Sequence, residues 1–155
     1  MSQNNKPINL YDREWRYFRL GDKKYFDIQR GASGAESYIK NMGGGDIPYI
    51  STTADNNGIA TYVDVSNRNG NLISLAYDGS IGACFYQKDP FFASEKIVTI
   101  AIVQRKLTPD IAKFLIPILK LESEMYAYGG RKWTVDQQLA NTSIKLPVNT
   151  DGEPD

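Results

Sequence analysis

The chain has 155 residues, 41% apolar and 23% charged, a size and composition that fit one soluble domain with a buried core. Its 18 basic and 18 acidic side chains cancel, which argues against a strongly electrostatic nucleic-acid binder and equally against an acidic DNA mimic. The absence of histidine removes a Ser-His-Asp triad, a His-paired cysteine nucleophile and a His-containing zinc site, and the single Cys84 excludes an internal disulfide.

The start, "MSQNNKPINLYDREW", is polar, and no apolar run along the chain approaches the ~18 to 20 residues that span a bilayer. A cytoplasmic protein without membrane contact is expected. "KYFDIQRG" sets Tyr25 or Phe26 against polar residues and reads as a strand ending at Gly31. "ASGAESYIKNMGGGD" follows as a glycine-rich excursion with a short helical turn around Glu36 to Lys40. "IPYIST" and "GIATYVDV" are the next strands, separated by small hydroxyl and amide side chains where two residues would make a turn. "NLISLAYDGSIGACFYQ" gives two more, hinged at "DGSIG", where Gly79 and Gly82 can take backbone angles closed to other residues. In "KDPFF", Pro90 and Phe91 read as a turn anchoring an aromatic plug, and the continuous apolar run of "KIVTIAIV" predicts a central strand.

After Arg105 the period changes. "LTPDIAKFLIPILKLESEMYAYG" has Thr108 as N-cap, Pro109 at the first helical position and Ile111, Phe114, Leu115, Ile118, Leu119 and Met125 at helical spacing, with a bend expected between Ala112 and Pro117. Thr134 caps a short helix running to about Asn141, and "SIKLPV" returns as a strand before an acidic end. Strands followed by helices and a returning strand predict an α+β, strand-rich domain. Between Arg105 and Lys145 seven basic residues face four acidic ones, and without Asp151, Glu153 and Asp155 the net charge is +3.

The chemistry of an enzyme is missing. "GGG" at 43–45 lacks the Lys-Ser/Thr of a phosphate-binding loop, "KDPFF" has one proline and no glycine-rich cofactor turn, and "GDKK" and "TPDIAK" complete no nuclease metal site.

Taken in order, "FDIQRG", "DIPYISTTADNNGIATYVD", "NLISLAYDGSIGACFYQKDPFFASEKIVTI", "LTPDIAKFL" and "YAYGGRKWTVDQQLANTSIKLPV" resemble a target recognition domain from the specificity (HsdS-like) subunits of bacterial type I restriction-modification systems, or the related type IIB and IIG subunits. The resemblance covers nearly the whole chain and rests on the order "IPYIS", "NNG", "GSIG", "FFAS". It implies a non-catalytic reader of double-stranded DNA that directs a partner methyltransferase subunit, where S-adenosylmethionine and methyl transfer belong. It divides the chain into an N-terminal segment (1–20), one recognition domain (21–148) and an acidic tail (149–155) where the family's spacer helix would begin. In the family two such domains normally alternate with long helices. The chain therefore reads as a fragment or a half-subunit, with a second recognition domain or a second copy as a further candidate partner.

Candidate DNA contacts fall in several places. In "STTADNNG", Thr52, Thr53 and Asn56 carry the chemistry of a groove-reading loop or of a self-bonded polar loop, whereas Asn57-Gly58 reads as a tight turn. In "YAYGGRKW", Arg131 suits guanine or phosphate, Lys132 a phosphate and Tyr128 stacking, with Trp133 assigned to the core. Arg68 in "SNRNG" is expected to point outward, as a contact or as a solvated loop arginine. Arg105 and Lys106 either hold phosphates or serve solubility. Gly31, Gly79 and Gly82 are read as structural. The rival function is a protein-interaction or regulatory module of the same fold that docks on a methyltransferase subunit without reading DNA.

Overall fold

A computed structural model describes residues 9–32, 44–78, 81–128 and 138–155. Among them are nine strands, β1 (Trp15–Arg19), β2 (Phe26–Arg30), β3 (Ile47–Ile50), β4 (Ile59–Val63), β5 (Leu72–Ala76), β6 (Cys84–Gln87), β7 (Phe92–Ala93), β8 (Ile97–Ile102) and β9 (Ser143–Pro147), and one long helix, α1 (Pro109–Tyr128). The class is α+β. The expected turn at Glu36 to Lys40 and the start of the expected helix after Thr134 lie outside the described residues; 138–141 are helical.

The strands form a four-stranded antiparallel sheet in the order β2-β8-β5-β6, a three-stranded sheet β4-β3-β7 and a β1-β9 pair. β8, the continuous apolar run, is central, as its sequence requires, because both of its edges are paired. Register gives the large sheet two unlike faces. Phe26, Ile28, Ile100, Val98, Ile73 and Leu75 share one face, since each pairs directly with its neighbour across the ladder. That face packs on Ala112, Leu115 and Leu119 of α1 and on Phe18, Ile144 and Leu146 of the β1-β9 pair, forming the main core. The opposite face carries Asp27, Gln29, Thr99, Ser74 and Gln87, and on it lies the small sheet, joined through a second cluster of Ile50, Ala76, Phe91, Ala93 and Ile97. Phe91 is fully buried there, so the plug expected after Pro90 forms.

α1 begins as its sequence dictates. The Thr108 hydroxyl accepts from the Ile111 N–H at 3.2 Å, and Pro109 occupies the first turn, where its missing N–H costs nothing. The helix runs on through Pro117 to Tyr128 without interruption. β1 was not anticipated: "WRYFR" pairs antiparallel with β9 from Trp15↔Pro147 to Arg19↔Ser143, so residues 15–19 are part of the folded body. The two ends of the described chain thereby meet, and Arg13 is ion-paired with Asp155. Residues 149–155 fold back as a hook rather than opening a helix: the Asn149 N–H donates to the Glu153 carbonyl at 2.9 Å, and Asp155 N–H to the Pro147 carbonyl at 2.9 Å. Lys24 clasps the hook through Glu153 at 3.0 Å, a contact that holds the Glu153 carboxyl below and the Lys24 ammonium above their ordinary ranges.

Cys84 faces the main core at 1% exposure, and burial pushes its thiol up to about 12, with Lys120 acting weakly the other way. A thiol-reactive chromogenic reagent at pH 8 is therefore expected to label the folded protein negligibly and the denatured protein fully. Rapid labelling without denaturant would show that β6 opens.

Candidate nucleic-acid interface

The two polar loops singled out in the sequence are mounted on the polar face of the large sheet. The first, 51–58, leaves β3 and returns to β4 through a 3-10 turn at Asn56–Gly58, with the ladder slipping between Tyr49 and Ile50. Asn56 (φ 49°), Asn57 (φ 55°) and Gly58 (φ 79°) are all left-handed, which explains two amide residues followed by glycine. Gly58 is buried, and a Cβ there would lie 3.2 Å from both Ile50 and Phe85, so the loop lies close against the sheet.

The loop is exposed at its tip and bonded to the sheet beneath it. Asn57 Nδ2 donates to the Tyr86 carbonyl at 3.3 Å and to Gln87 Oε1 at 3.2 Å, while Gln87 Nε2 donates back to the Asn57 carbonyl at 2.8 Å and to Ser74 Oγ at 3.1 Å. Gln87 and Ser74 are 4% and 1% exposed, so this is a buried polar clasp beneath an exposed turn. Asn56 and Asn57 are exposed, and Thr52 and Thr53 are half-buried. Thr53 Oγ1 accepts from the Asp55 N–H at 3.3 Å, and Asn56 Nδ2 donates to the Ile59 carbonyl at 3.4 Å, long for a hydrogen bond. Self-bonding of the loop thus leaves most of its outer polar capacity open.

The second loop, 66–70, is fixed from two directions. Asn67 forms a two-way bridge to Ala93, accepting from its N–H at 2.7 Å and donating to its carbonyl at 3.1 Å. Arg68 does not point outward as expected. Its guanidinium turns onto the sheet, donating from Nε to Thr99 Oγ1 at 3.0 Å, from one Nη to the Asn67 carbonyl at 2.8 Å and from the other to the Arg30 carbonyl. Burial holds this guanidinium below the ordinary arginine range, and the charge of Asp27 acts in the opposite direction.

Thr52, Thr53, Asn56 and Arg68 are therefore held on one face of the large sheet, through Gln87 and Thr99. Arg105 is not with them. It follows β8 and lines a groove of about 700 Å³ with Asp110, Phe114 and Asp155, and Lys106 beside it is exposed. Gly31 packs against the carbonyls of Ala93 and Ser94, and Gly82 (φ 89°) against Ser123 of α1. Gly79, Arg131, Lys132 and the side chain of Tyr128 lie outside the described residues. Sequence reasoning passed over Asp27, Gln29, Asn67, Gln87 and Thr99; the strict alternation in "FDIQ" was the available signal, because it sets Asp27 and Gln29 opposite the core-facing Phe26 and Ile28.

Among the described residues no helix is long and apolar enough to cross a membrane, and no group of three or more His, Cys, Asp or Glu could hold a metal ion.

The fold has solved counterparts. The S subunit of a type I restriction-modification system from M. genitalium superposes with a TM-score of 0.65 at 17% identity, over 89% of this chain and 35% of that one. The HsdS subunit from Thermoanaerobacter tengcongensis does so with a TM-score of 0.60 at 16% identity, over 93% of this chain and 36% of that one. In sequence, the chain is 26% identical over 149 residues to the BgcI type II restriction enzyme's specificity subunit S.BcgI of Heyndrickxia coagulans, covering 95% of this chain and 42% of that protein. It is 27% identical over 127 residues to a Mycoplasma pneumoniae protein named as a type I specificity subunit, S.MpnORF507P, covering 81% and 34%. The chain thus spans less than half the length of these relatives. Residues 12–152 match the family model described as the type I restriction modification DNA specificity domain, and the chain belongs to that family.

Proposed function

We propose that this chain reads a short sequence of double-stranded DNA on behalf of a restriction-modification system, without chemistry of its own, while a methyltransferase subunit supplies S-adenosylmethionine and methyl transfer. The observation that carries the proposal is the build of the 51–58 loop. Asn57, itself exposed, ties the turn to the sheet through the buried Gln87, while exposed Asn56 and half-buried Thr52 and Thr53 keep polar capacity beyond the loop's own bonds. A reading loop needs that division, because a loop ordered before binding loses less entropy on the duplex. Hydroxyl and amide groups serve phosphates and adenine edges alike, and Arg131, Lys132 and Tyr128 are proposed to add contacts from the segment after α1. Arg105 and Lys106 are proposed as phosphate contacts outside the reading face.

The adjacency of β1 and β9 supports a domain that enters and leaves a larger assembly at one point, where a methyltransferase subunit, a second recognition domain or a second copy would meet it. The test is selection from a random duplex pool at moderate salt, with the domain alone and fused to a dimerising helix. Enrichment of a motif of a few base pairs is expected, with Asn56→Ala and Arg131→Ala each weakening it by about 1 to 3 kcal/mol if they meet bases. No enrichment in either format would turn the assignment to the protein-interaction module.

A further inference from the structure

The polar face of the large sheet opens beside the 66–70 loop into a cleft of about 350 Å³, lined by Asp27 and Gln29 of β2, Thr99 of β8, and Arg68 and Asn69 of the loop. Arg68 is half-buried in it, and its hydrogen bonds go to three neutral acceptors, the Thr99 hydroxyl and the Asn67 and Arg30 carbonyls. Among the described residues it belongs to no ion pair. A guanidinium has five N–H donors, so two remain for a ligand. Asp27 is exposed on the neighbouring strand. One of its carboxylate oxygens accepts from Gln29 Nε2 at 3.1 Å, which leaves the other available. The cleft thus sets two donors, fixed in direction by the bonds behind them, close to an acceptor.

The ligand follows from that pairing. A buried arginine by itself would suit a phosphate, but a phosphate entering here would meet the Asp27 carboxylate, and like charges repel at this range. A neutral group that presents acceptors beside a donor satisfies both side chains. In duplex DNA the major-groove edge of a G·C pair does so, with guanine O6 and N7 as adjacent acceptors and the cytosine N4 amino group as the donor. An A·T pair offers a single acceptor on either side of its amino group and leaves one arginine donor facing an N–H.

We infer that this cleft is a G·C-reading site, in which Arg68 donates to guanine and Asp27 accepts from the cytosine amino group. The inference rests on the DNA-reading function proposed above. The three bonds already made by Arg68 hold its long side chain in place before DNA arrives, so little rotamer freedom is lost on binding.

The experiment is the same duplex selection, run with the wild-type chain, Asp27→Ala and Arg68→Met. The wild-type motif is expected to contain a G·C pair that Asp27→Ala, which removes the acceptor outright, relaxes about tenfold or more, with the other positions and the melting temperature unchanged. Arg68→Met should relax the same pair. Because Arg68 also braces its loop, a misfolded Arg68→Met leaves the decision to Asp27→Ala, whose side chain is exposed. A motif that Asp27→Ala leaves untouched at every position overturns the cleft assignment and spares the DNA-reading function. So does relaxation that falls on an A·T pair. A wild-type chain that enriches nothing in either format overturns the DNA-reading function, and this inference with it.

Discussion

Replacing Gly31 by alanine is expected to destabilise the domain by at least about 3 kcal/mol, a large share of the ~5 to 15 kcal/mol that holds a domain together. Gly31 ends β2 where the chain passes against the crossover from β7 to β8. Its N–H donates to the Ile97 carbonyl at 2.8 Å, and the neighbouring Ala32 N–H donates to the Ala93 carbonyl at 3.1 Å. A Cβ at Gly31 would fall 2.6 Å from the Ala93 carbonyl oxygen and closer still to that of Ser94, inside the 3.0 Å that real Cβ atoms respect. Both obstacles are backbone, so no side chain can swing aside, and the strain has to move the crossover itself. That crossover ties the small sheet to the large one, since Ser94 N–H donates to the Ile50 carbonyl at 3.0 Å and Ile97 N–H to the Ser94 carbonyl at 3.1 Å. Urea unfolding followed by circular dichroism measures the loss. A midpoint within error of wild type would mean that the two sheets do not hold each other as closely as described.

How much of this was legible in the sequence depends on how local each feature is. α1 announced itself through Thr108, Pro109 and a helical stripe, all within a few residues of one another. β8 did so through a run that is apolar apart from Thr99, as suits a strand paired on both sides. β1 escaped because only Phe18 of "WRYFR" is buried; the rest of that strand is exposed or half-exposed and looks like a polar leader. β7, at two residues, is too short to carry a period. These strands exist through partners far along the chain, and periodicity cannot see a partner.

The same limit governs the candidate site. That 51–58 would be polar and turn at Asn57-Gly58 was legible from residue types, because amides and glycine tolerate left-handed backbone. That Asn57 would bond across to the sheet was not, since its partner Gln87 lies 30 residues on. Arg68 shows the cost of reading locally. A loop arginine beside Asn69-Gly70 looks solvated, yet its guanidinium bonds to Thr99, 31 residues away, across a sheet whose polar face becomes apparent only when register is known.

Gln87 allows the link between fold and reading to be tested. Gln87→Leu keeps the volume and removes the clasp, leaving the Asn57 carbonyl and Ser74 Oγ without their donor and Asn57 Nδ2 with only the Tyr86 carbonyl. A buried polar group stripped of its partner costs ~1 to 3 kcal/mol, so a loss of about 3 kcal/mol in stability is expected, tempered by water reaching the outer rim of the turn. A second effect follows from geometry. Without the clasp, 51–58 keeps only the Asn57 bond to the Tyr86 carbonyl and the packing of Gly58 against the sheet, so more of the entropy of fixing it is lost on contact with DNA instead of during folding. Binding to the selected duplex should therefore fall well beyond binding to a scrambled one, while the salt slope, which counts phosphate contacts, stays as it was. Gln87→Glu separates the clasp from simple packing. Its carboxylate can accept from Asn57 but cannot donate to the Asn57 carbonyl, and burial disfavours the charge, raising the pKa of that carboxyl above its unfolded value. The stability it retains is then greatest in acid, where the protonated group donates again, and is lost as pH rises through the folded pKa. Selectivity measured over the same range should follow. If both variants kept wild-type selectivity at every pH, the loop would read DNA without its anchor, or would not be the part that reads.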